Sequence, residues 1–270
     1  ALALLLIPGL DLPLRDWDEG IVARVAYERS DALLQWLSGQ VPFSSLWLPT
    51  YWDAPYLNKP PGLHLPASLP LLPWVSAGAV PPAWAVRLLP ALCASAVVPL
   101  AGLITRQLNH KQQGAAIAAA AIALTLLPLM RHGRLAMLDG ALVSASGLLW
   151  WQLLVSRHCR SWPLLGCGLI SGLACCGLLL LKAPLLLPVL GIGLLLLALE
   201  RQHSRAQWLL LLVGLALGLL PGLGWHGLHY LLRGSDALLL WGADGASRVL
   251  LSSGEGSDLG WRVPVLEVLE

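Results

Sequence analysis

The stretch "PLLGCGLISGLACCGLLLLKAPLLLPVLGIGLLLLAL", residues 163–199, contains a single charged residue, Lys182. As one helix this run would be about 55 Å long at 1.5 Å per residue, whereas the hydrocarbon core of a membrane is about 30 Å thick. The run therefore predicts two membrane-spanning helices with a break between them. We place the break at Lys182-Ala183-Pro184, because a proline is well tolerated in the first turn of a helix.

Uncharged apolar runs of similar length recur along the chain. They cover residues 88–105, 114–130, 140–156, 163–181, 183–199 and 206–232. Apolar residues make up 57% of the chain and charged residues 12%, about half of the charged fraction of a soluble domain. The composition excludes a water-soluble enzyme and predicts an all-α polytopic membrane protein with six spanning helices in residues 87–232. The net charge of +2 gives no sign of a nucleic-acid partner, and we expect none.

The two ends of the sequence predict that the chain is the N-terminal part of a longer protein. Residues 1–10 are apolar but too short to span a membrane, so we expect them to end a first spanning helix. We expect residues 233–270 to form a truncated loop on the outer face.

The segment 62–86 is uncharged and long enough to span a membrane, but it contains five prolines. Each proline removes a backbone donor, which is costly for a helix that faces lipid. We therefore expect short juxtamembrane helices within an outer loop formed by residues 11–86. The prolines are Pro66, Pro70, Pro73, Pro81 and Pro82.

The loops between the runs predict the orientation of the protein. Residues 106–111, 156–160 and 201–205 each carry two Lys or Arg residues, which favours the cytoplasmic side. The remaining loops then share the outer face. Six charged residues converge there: Asp18, Glu19, Lys59, Arg134, Asp139 and Lys182. Charged groups at the membrane boundary are costly and commonly functional, so this face is the candidate site.

Each of these residues also has an ordinary structural explanation, which stays open. Asp139 begins a predicted helix and could simply cap it. Lys182 could extend to the interface from a helix end. The Asp18-Glu19 pair could form a solvated helix start. His226 and His229 have the spacing of a metal-binding pair, but no third ligand accompanies them.

Five motifs in a fixed order resemble the bacterial C-type (GT-C) glycosyltransferases related to protein O-mannosyltransferases and to the lipid A aminoarabinose transferase. The motifs are "DWDEG" followed by "VAYE", "YLNKPPGLHL", "AVRLLPAL", "RLAMLDGAL" and "LLKAPLLLPVL". The resemblance covers about residues 10–200. It implies a GT-C-like helical bundle in which juxtamembrane helices occupy the first periplasmic loop.

The resemblance also implies an activity: an inverting transfer of a sugar from a polyprenyl-phosphate donor to an acceptor hydroxyl on the periplasmic side. The catalytic candidates are Asp18, Glu19 and Asp139, with Asp18 as the general base. The candidates for binding the donor phosphate are Lys59, Arg134 and Lys182. A carboxylate can take the proton of the acceptor hydroxyl, and fixed cations can stabilise the leaving phosphate.

Two departures from the family pattern narrow these expectations. Many relatives have Glu at the position of Asn58, and the aminoarabinose branch tends to have Arg at the position of Ile21. We therefore assign no donor sugar, and we leave a lipid, a glycan or a protein open as the acceptor. We expect a multi-pass protein of the bacterial inner membrane with no defined cofactor, although a divalent metal stays open. A flippase for lipid-linked sugars and an inactive scaffold remain the alternative functions.

Overall fold

A computed structural model describes residues 9–15, 17–109 and 113–241. Apart from one two-stranded hairpin, the regular structure in these ranges is helical. Residues 1–8 of the expected first spanning helix and residues 242–270 of the expected last loop lie outside the described part.

The first long helix, α1, spans Trp17–Leu37 and is followed by a 3-10 turn at Phe43–Leu46. Strands β1 (Thr50–Tyr51) and β2 (Ala54–Pro55) pair antiparallel, with Thr50 opposite Pro55. The two residues between them, Trp52 and Asp53, have positive φ angles of 53° and 61°. Two central residues with positive φ are typical of the tight turn that matches the twist of a hairpin.

The proline-rich segment forms short helices and no span-length helix. These are α2 (His64–Ser68), a 3-10 turn at Leu69–Leu71 and α3 (Leu72–Ser76). Pro70 and Pro73 lie in the first turns of the second and third of these elements, where a missing N–H is harmless. The sequence therefore predicted the local structure of this segment, and its location in the membrane interface stays a prediction.

The rest of the described chain is a series of apolar helices. They are α4 (Ala83–Leu108), α5 (Gln113–Thr125), α6 (Leu127–His132), α7 (Asp139–Ser156), α8 (Trp162–Leu199) and α9 (Arg205–Arg233), followed by a 3-10 turn at Gly234–Leu238 and α10 (Leu239–Trp241). Three stretches in the described ranges are long and apolar enough to cross a membrane: Ala83–Leu108, Trp162–Leu199 and Arg205–Trp241. The protein is therefore an all-α membrane protein.

Helix α8 folds back on itself at Lys182, whose backbone angles (φ −156°, ψ 88°) are not helical. Arg157 precedes this helix and Glu200 follows it, yet their side chains form an ion pair with an Nη2–Oε1 distance of 2.6 Å. The two ends of a 38-residue helix can meet only if its halves run in opposite directions. The break expected at Lys182 is present, and the count of six membrane crossings stays a prediction.

The first half of α8 packs tightly against α9 through glycines spaced four residues apart on both helices. Gly168 and Gly172 face Gly214 and Gly218, and a methyl group built on any of the four would overlap backbone atoms of the other helix. Small residues at this spacing let two helices approach closely in a membrane. This contact fixes the half of α8 that ends at Lys182.

A buried apolar cluster joins the outer segments to the helix bundle. It contains Val22 of α1, Leu63 and Leu71 of the short-helix segment, Leu138 just before α7 and Leu181 next to the α8 bend. Segments that lie far apart in sequence therefore meet at one end of the bundle, and the charged residues of the candidate site lie around this cluster.

Candidate functional site

Asp18 and Lys59 form an open ion pair, with 3.8 Å between Lys59 Nζ and Asp18 Oδ1. Asp18 lies in the first turn of α1, and Lys59 lies in the loop between the hairpin and α2. The side chains are 49% and 25% exposed, so a ligand can reach both. An exposed ion pair adds little stability, which means that a bound anion can take the place of the carboxylate at small cost.

The backbone around Lys59 is held against the bend of α8. Pro60 and Pro61 are buried, and the N–H of Gly62 donates to the carbonyl oxygen of Leu180 at 2.8 Å. A Cβ atom at position 62 would lie 2.5 Å from that oxygen, so the close approach requires glycine. This contact brings the Lys59 loop to the segment that carries Lys182, which is half-buried two residues beyond Leu180.

His64 forms part of the buried floor beneath the Lys59 loop. Its ring is fully buried and stands edge-on to Tyr56, with 5.4 Å between ring centroids. Burial lowers the pKa of His64 to about 4, and the positive charge of Lys59 acts in the same direction. At neutral pH the imidazole is therefore uncharged, and it places no second positive charge beside Lys59.

Glu19 faces away from Asp18, because consecutive helical residues are about 100° apart around the axis. Its carboxylate is fully buried, and each oxygen accepts two hydrogen bonds. Oε1 accepts from Arg87 Nε at 2.8 Å and from the Ala136 N–H at 2.7 Å. Oε2 accepts from Arg87 Nη2 and from the Arg15 N–H, both at 2.7 Å. Glu19 thus ties the start of α1 to α4 and to the loop before α7.

The pKa of Glu19 reflects two opposing effects. Burial alone would raise it, but the hydrogen bonds from Arg87, Ala136 and Arg15 outweigh burial and hold the pKa below its ordinary value. With both oxygens fully bonded, the carboxylate is poorly placed to accept a further proton from a substrate. These hydrogen bonds suit a residue that positions its neighbours, and the catalytic role that the family resemblance implies for Glu19 stays a prediction.

Arg87 is the main residue of this region that the sequence reasoning missed. Besides Glu19, its guanidinium donates to the carbonyl oxygens of Leu10, Leu12 and Pro13 at 2.6–3.0 Å, so all five of its N–H groups are used. A signal was available, since Arg87 is the one charged residue between Lys59 and Arg106. A cation in such an apolar stretch predicts a buried partner.

Arg134 lies in the wall of a cavity of about 240 Å³. Arg15, Arg87 and Arg131 line the same cavity, together with apolar side chains. The Nε of Arg134 also donates to the Met130 carbonyl oxygen at 3.0 Å.

Asp139 faces another cavity, which measures about 550 Å³ and lies between α4, α6 and α7. His132 contributes a second polar side chain to walls that are otherwise mostly apolar. Asp139 is exposed and begins α7, three residues after Ala136 and its hydrogen bond to Glu19. The six predicted residues thus comprise the open pair of Asp18 and Lys59, Lys182 at the α8 bend, the buried Glu19, and Arg134 and Asp139 in the walls of two cavities.

Glu28 is a second buried carboxylate that the sequence reasoning did not identify. It accepts hydrogen bonds from Arg24 Nε at 2.6 Å and from the Trp52 N–H at 2.7 Å, and the Arg24 guanidinium lies 3.9 Å from the centre of the Trp52 ring. Burial raises the pKa of Glu28, but hydrogen bonds from Thr50, Arg24 and the hairpin turn lower it below its ordinary value overall. This clamp fixes the hairpin that leads into the Lys59 loop.

Among residues 9–15, 17–109 and 113–241, no group of three His, Cys, Asp or Glu side chains has the arrangement of a metal site. The two histidines with metal-like spacing both pack against Trp225, with ring centroids 4.9 Å away for His226 and 4.8 Å for His229.

Comparison with known proteins gives the context for this geometry. The sequence model of the dolichyl-phosphate-mannose-protein mannosyltransferases matches residues 70–212, more than half of the 270 residues. No curated protein and no solved structure matches the chain significantly. The matched segment includes Arg87, Arg134, Asp139 and Lys182 and ends within α9. The chain therefore belongs to the dolichyl-phosphate-mannose-protein mannosyltransferase family, whose members are membrane glycosyltransferases that use a lipid-phosphate-linked sugar donor.

Proposed function

We propose that this protein transfers a sugar from a polyprenyl phosphate to an acceptor hydroxyl at the outer, periplasmic face of a bacterial inner membrane. The observation that carries the proposal is the open pair of Asp18 and Lys59, 3.8 Å apart, beside the α8 bend that holds Lys182. An accessible carboxylate paired with one cation, in a loop that is bonded to the segment of a second cation, suits a reaction in which a hydroxyl attacks and a phosphate leaves.

In the proposed step, Asp18 acts as the general base. The oxygen of the acceptor hydroxyl attacks the anomeric carbon, and Asp18 takes the hydroxyl proton as the new bond forms. The bond between that carbon and the phosphate oxygen breaks, and the phosphate leaves with the electron pair. A single displacement of this kind inverts the configuration at the anomeric carbon.

Lys59 and Lys182 bind the donor phosphate in this proposal. The leaving phosphate gains negative charge in the transition state, and a fixed cation stabilises that charge without reorganising. The buried Pro60 and Pro61 and the Gly62–Leu180 hydrogen bond support such a role, because they order the Lys59 backbone before the donor arrives.

The other candidate residues act around this pair. Glu19 is a positioning residue that holds the start of α1, and therefore Asp18, through Arg87 and Ala136. Asp139 lines the larger apolar cavity, and we assign it to the binding of the acceptor. Arg134 stays a candidate for binding the donor phosphate, and it lines a cavity together with Arg15 and Arg131.

The test is a transfer assay with membranes that contain the protein and a panel of labelled polyprenyl-phosphate sugars. We expect one donor to give transfer, with the opposite anomeric configuration in the product. Asp18→Asn should lower turnover by about 100-fold or more while donor binding is retained, which is the usual scale for loss of a general base. Asp31→Asn is the matched control, because Asp31 is an exposed residue of the same helix.

The alternatives give different results in the same experiment. A flippase would move lipid-linked sugars across the membrane without making a new glycosidic bond, and Asp18→Asn would leave that movement intact. An inactive scaffold would show no transfer with any donor. Either result, or full activity of Asp18→Asn, would contradict the proposed function.

A further inference from the structure

Two cysteines near the start of α8 hold their sulfur atoms against each other. Cys159 lies in the connection between α7 and α8, and Cys167 lies in the second turn of α8. Their Sγ atoms are 3.7 Å apart, and both residues are free thiols. The proposed transfer step uses neither of them, so this contact is a candidate site with a chemistry of its own.

The backbone and the packing both hold Cys159 in this position. The chain turns sharply at Ser161, whose φ of 54° and ψ of −132° form a conformation that residues other than glycine rarely adopt. The N–H of Cys159 donates to the carbonyl oxygen of Ser156 at 3.1 Å. The Cys159 side chain packs against the buried cluster that contains Cys167. The thiol contact is therefore built into the connection between the two helices.

The two thiols differ in their access to solvent. Cys159 is half-buried and lies between the exposed residues His158 and Arg160, whereas Cys167 is only 6% exposed. A reagent from solvent therefore reaches Cys159 first, and Cys167 is placed to attack a group that is already bound to Cys159. An accessible thiol next to a second, resolving thiol is the arrangement of redox-sensing cysteines.

The distance between the sulfurs permits a bond after a small movement. A disulfide bond is about 2.05 Å long, so the two Sγ atoms have to approach by about 1.7 Å. Cys159 lies outside regular structure, so its side chain can rotate without displacing a helix. Two groups that the fold holds in contact react as an intramolecular pair, which favours this bond over a bond to another molecule.

We propose that Cys159 and Cys167 form a redox modification site, which closes to an intramolecular disulfide when it meets a two-electron thiol oxidant. The Cys159 thiolate attacks the oxidant and forms a covalent adduct. The Cys167 sulfur then attacks the Cys159 sulfur, so that the S–S bond forms and the reduced oxidant leaves. Together the two thiols lose two protons and two electrons, and the oxidant takes up both.

The expected orientation indicates when this reaction takes place. Residues 156–160 are expected on the cytoplasmic side of the membrane, where thiols are kept reduced. The pair is then a dithiol under ordinary conditions and becomes a disulfide under oxidation. The site shares no residue with the Asp18–Lys59 pair, so it does not depend on the proposed transfer reaction.

The experiment treats the purified, reduced full chain with diamide, whose N=N bond is reduced to a hydrazine as the disulfide forms. The remaining thiols are blocked with iodoacetamide after denaturation, and the protein is digested with trypsin. Trypsin cuts after Arg160 and so separates Cys159 from Cys167. We expect the two peptides to stay joined until dithiothreitol is added. Separate peptides before reduction, or a disulfide-linked dimer of two chains, would overturn the proposal.

Further measurements locate the second sulfur, because the peptide that contains Cys167 also contains Cys175 and Cys176. Cys167→Ser should abolish the link, and the control Cys175→Ser/Cys176→Ser should retain it. Fragmentation of the joined wild-type peptides in the mass spectrometer identifies the linked cysteine directly, even if a variant fails to fold. A link to Cys175 or Cys176 would overturn the proposal.

Labelling of the folded, reduced protein with N-ethylmaleimide tests the order of reaction. We expect Cys159 to be labelled before Cys167, because reactivity follows exposure. Labelling of Cys167 first would contradict the role of Cys159 as the thiol that meets the oxidant.

Discussion

Replacing Glu19 by glutamine tests whether this buried carboxylate anchors the site. In the protein each oxygen of Glu19 accepts one hydrogen bond from Arg87 and one from a backbone N–H. An amide has one oxygen and one NH₂ group. Whichever way the amide is turned, its NH₂ group points at two donors, and Arg87 loses its counter-charge.

The magnitude follows from that geometry. Breaking a buried ion pair by neutralising one partner costs about 3–5 kcal/mol, because the remaining charge is left uncompensated. For a chain of this size, that cost lowers the midpoint of thermal unfolding by about 6–20 °C. Glu200→Gln is the matched control: its ion pair with Arg157 is partly exposed, so its loss should cost under about 1 kcal/mol.

The assay is thermal unfolding of the purified variants in detergent, combined with transfer activity per folded molecule. We expect Glu19→Gln to unfold at a markedly lower temperature than Glu200→Gln. A Glu19→Gln protein with the melting temperature of the wild type but no activity would refute the anchoring role. It would show instead that Glu19 takes part in the chemistry.

Three further predictions follow from other parts of the structure. Lys59→Ala should abolish turnover while expression and membrane insertion stay intact, as a transfer assay with matched protein amounts will show. Gly172→Ala should destabilise the α8–α9 contact and lower the melting temperature, whereas Gly166→Ala, which has no neighbour within 4 Å, should not. The contribution of Glu19 and Glu28 to stability should be fully present above pH 4.5 and should be lost as the pH falls further, because their folded-state pKa values lie below that ordinary value. A melting temperature that is constant down to pH 3 would contradict this.

The parts of the fold that the sequence predicted are those with strong local causes. The 163–199 run is too long for one membrane crossing, and its one charged residue, Lys182, stands two positions before a proline and marks the break. The prolines of the 62–86 segment allow only short helices. The meeting of Asp18 with Lys59 was also expected, because both belong to the outer loop that the orientation argument defined.

The parts that the sequence did not predict depend on contacts between distant residues. Glu19 and Arg87 are 68 positions apart, and nothing in the local pattern of either residue names the other as its partner. The same holds for Glu28, whose backbone partners lie in a hairpin 24 and 25 residues away. A residue type predicts that a buried charge needs a partner, but only the folded chain shows which partner it has.

Arg134 and Asp139 illustrate a different limit. They lie five residues apart and border the same loop. The loop turns between them, so Arg134 lines the cavity that it shares with Arg15 and Arg131, whereas Asp139 lines the mostly apolar cavity between α4, α6 and α7. Sequence spacing predicts the face of a residue within a regular helix, but it does not do so across a turn.

The most direct test of the central claim is an experimentally determined structure of the protein with a non-hydrolysable polyprenyl-phosphate sugar bound. We predict that a phosphate oxygen lies about 2.7–2.9 Å from Lys59 Nζ and that Asp18 faces the anomeric carbon from the side opposite the phosphate. A phosphate bound away from Lys59, or an anomeric carbon out of reach of Asp18, would contradict the account.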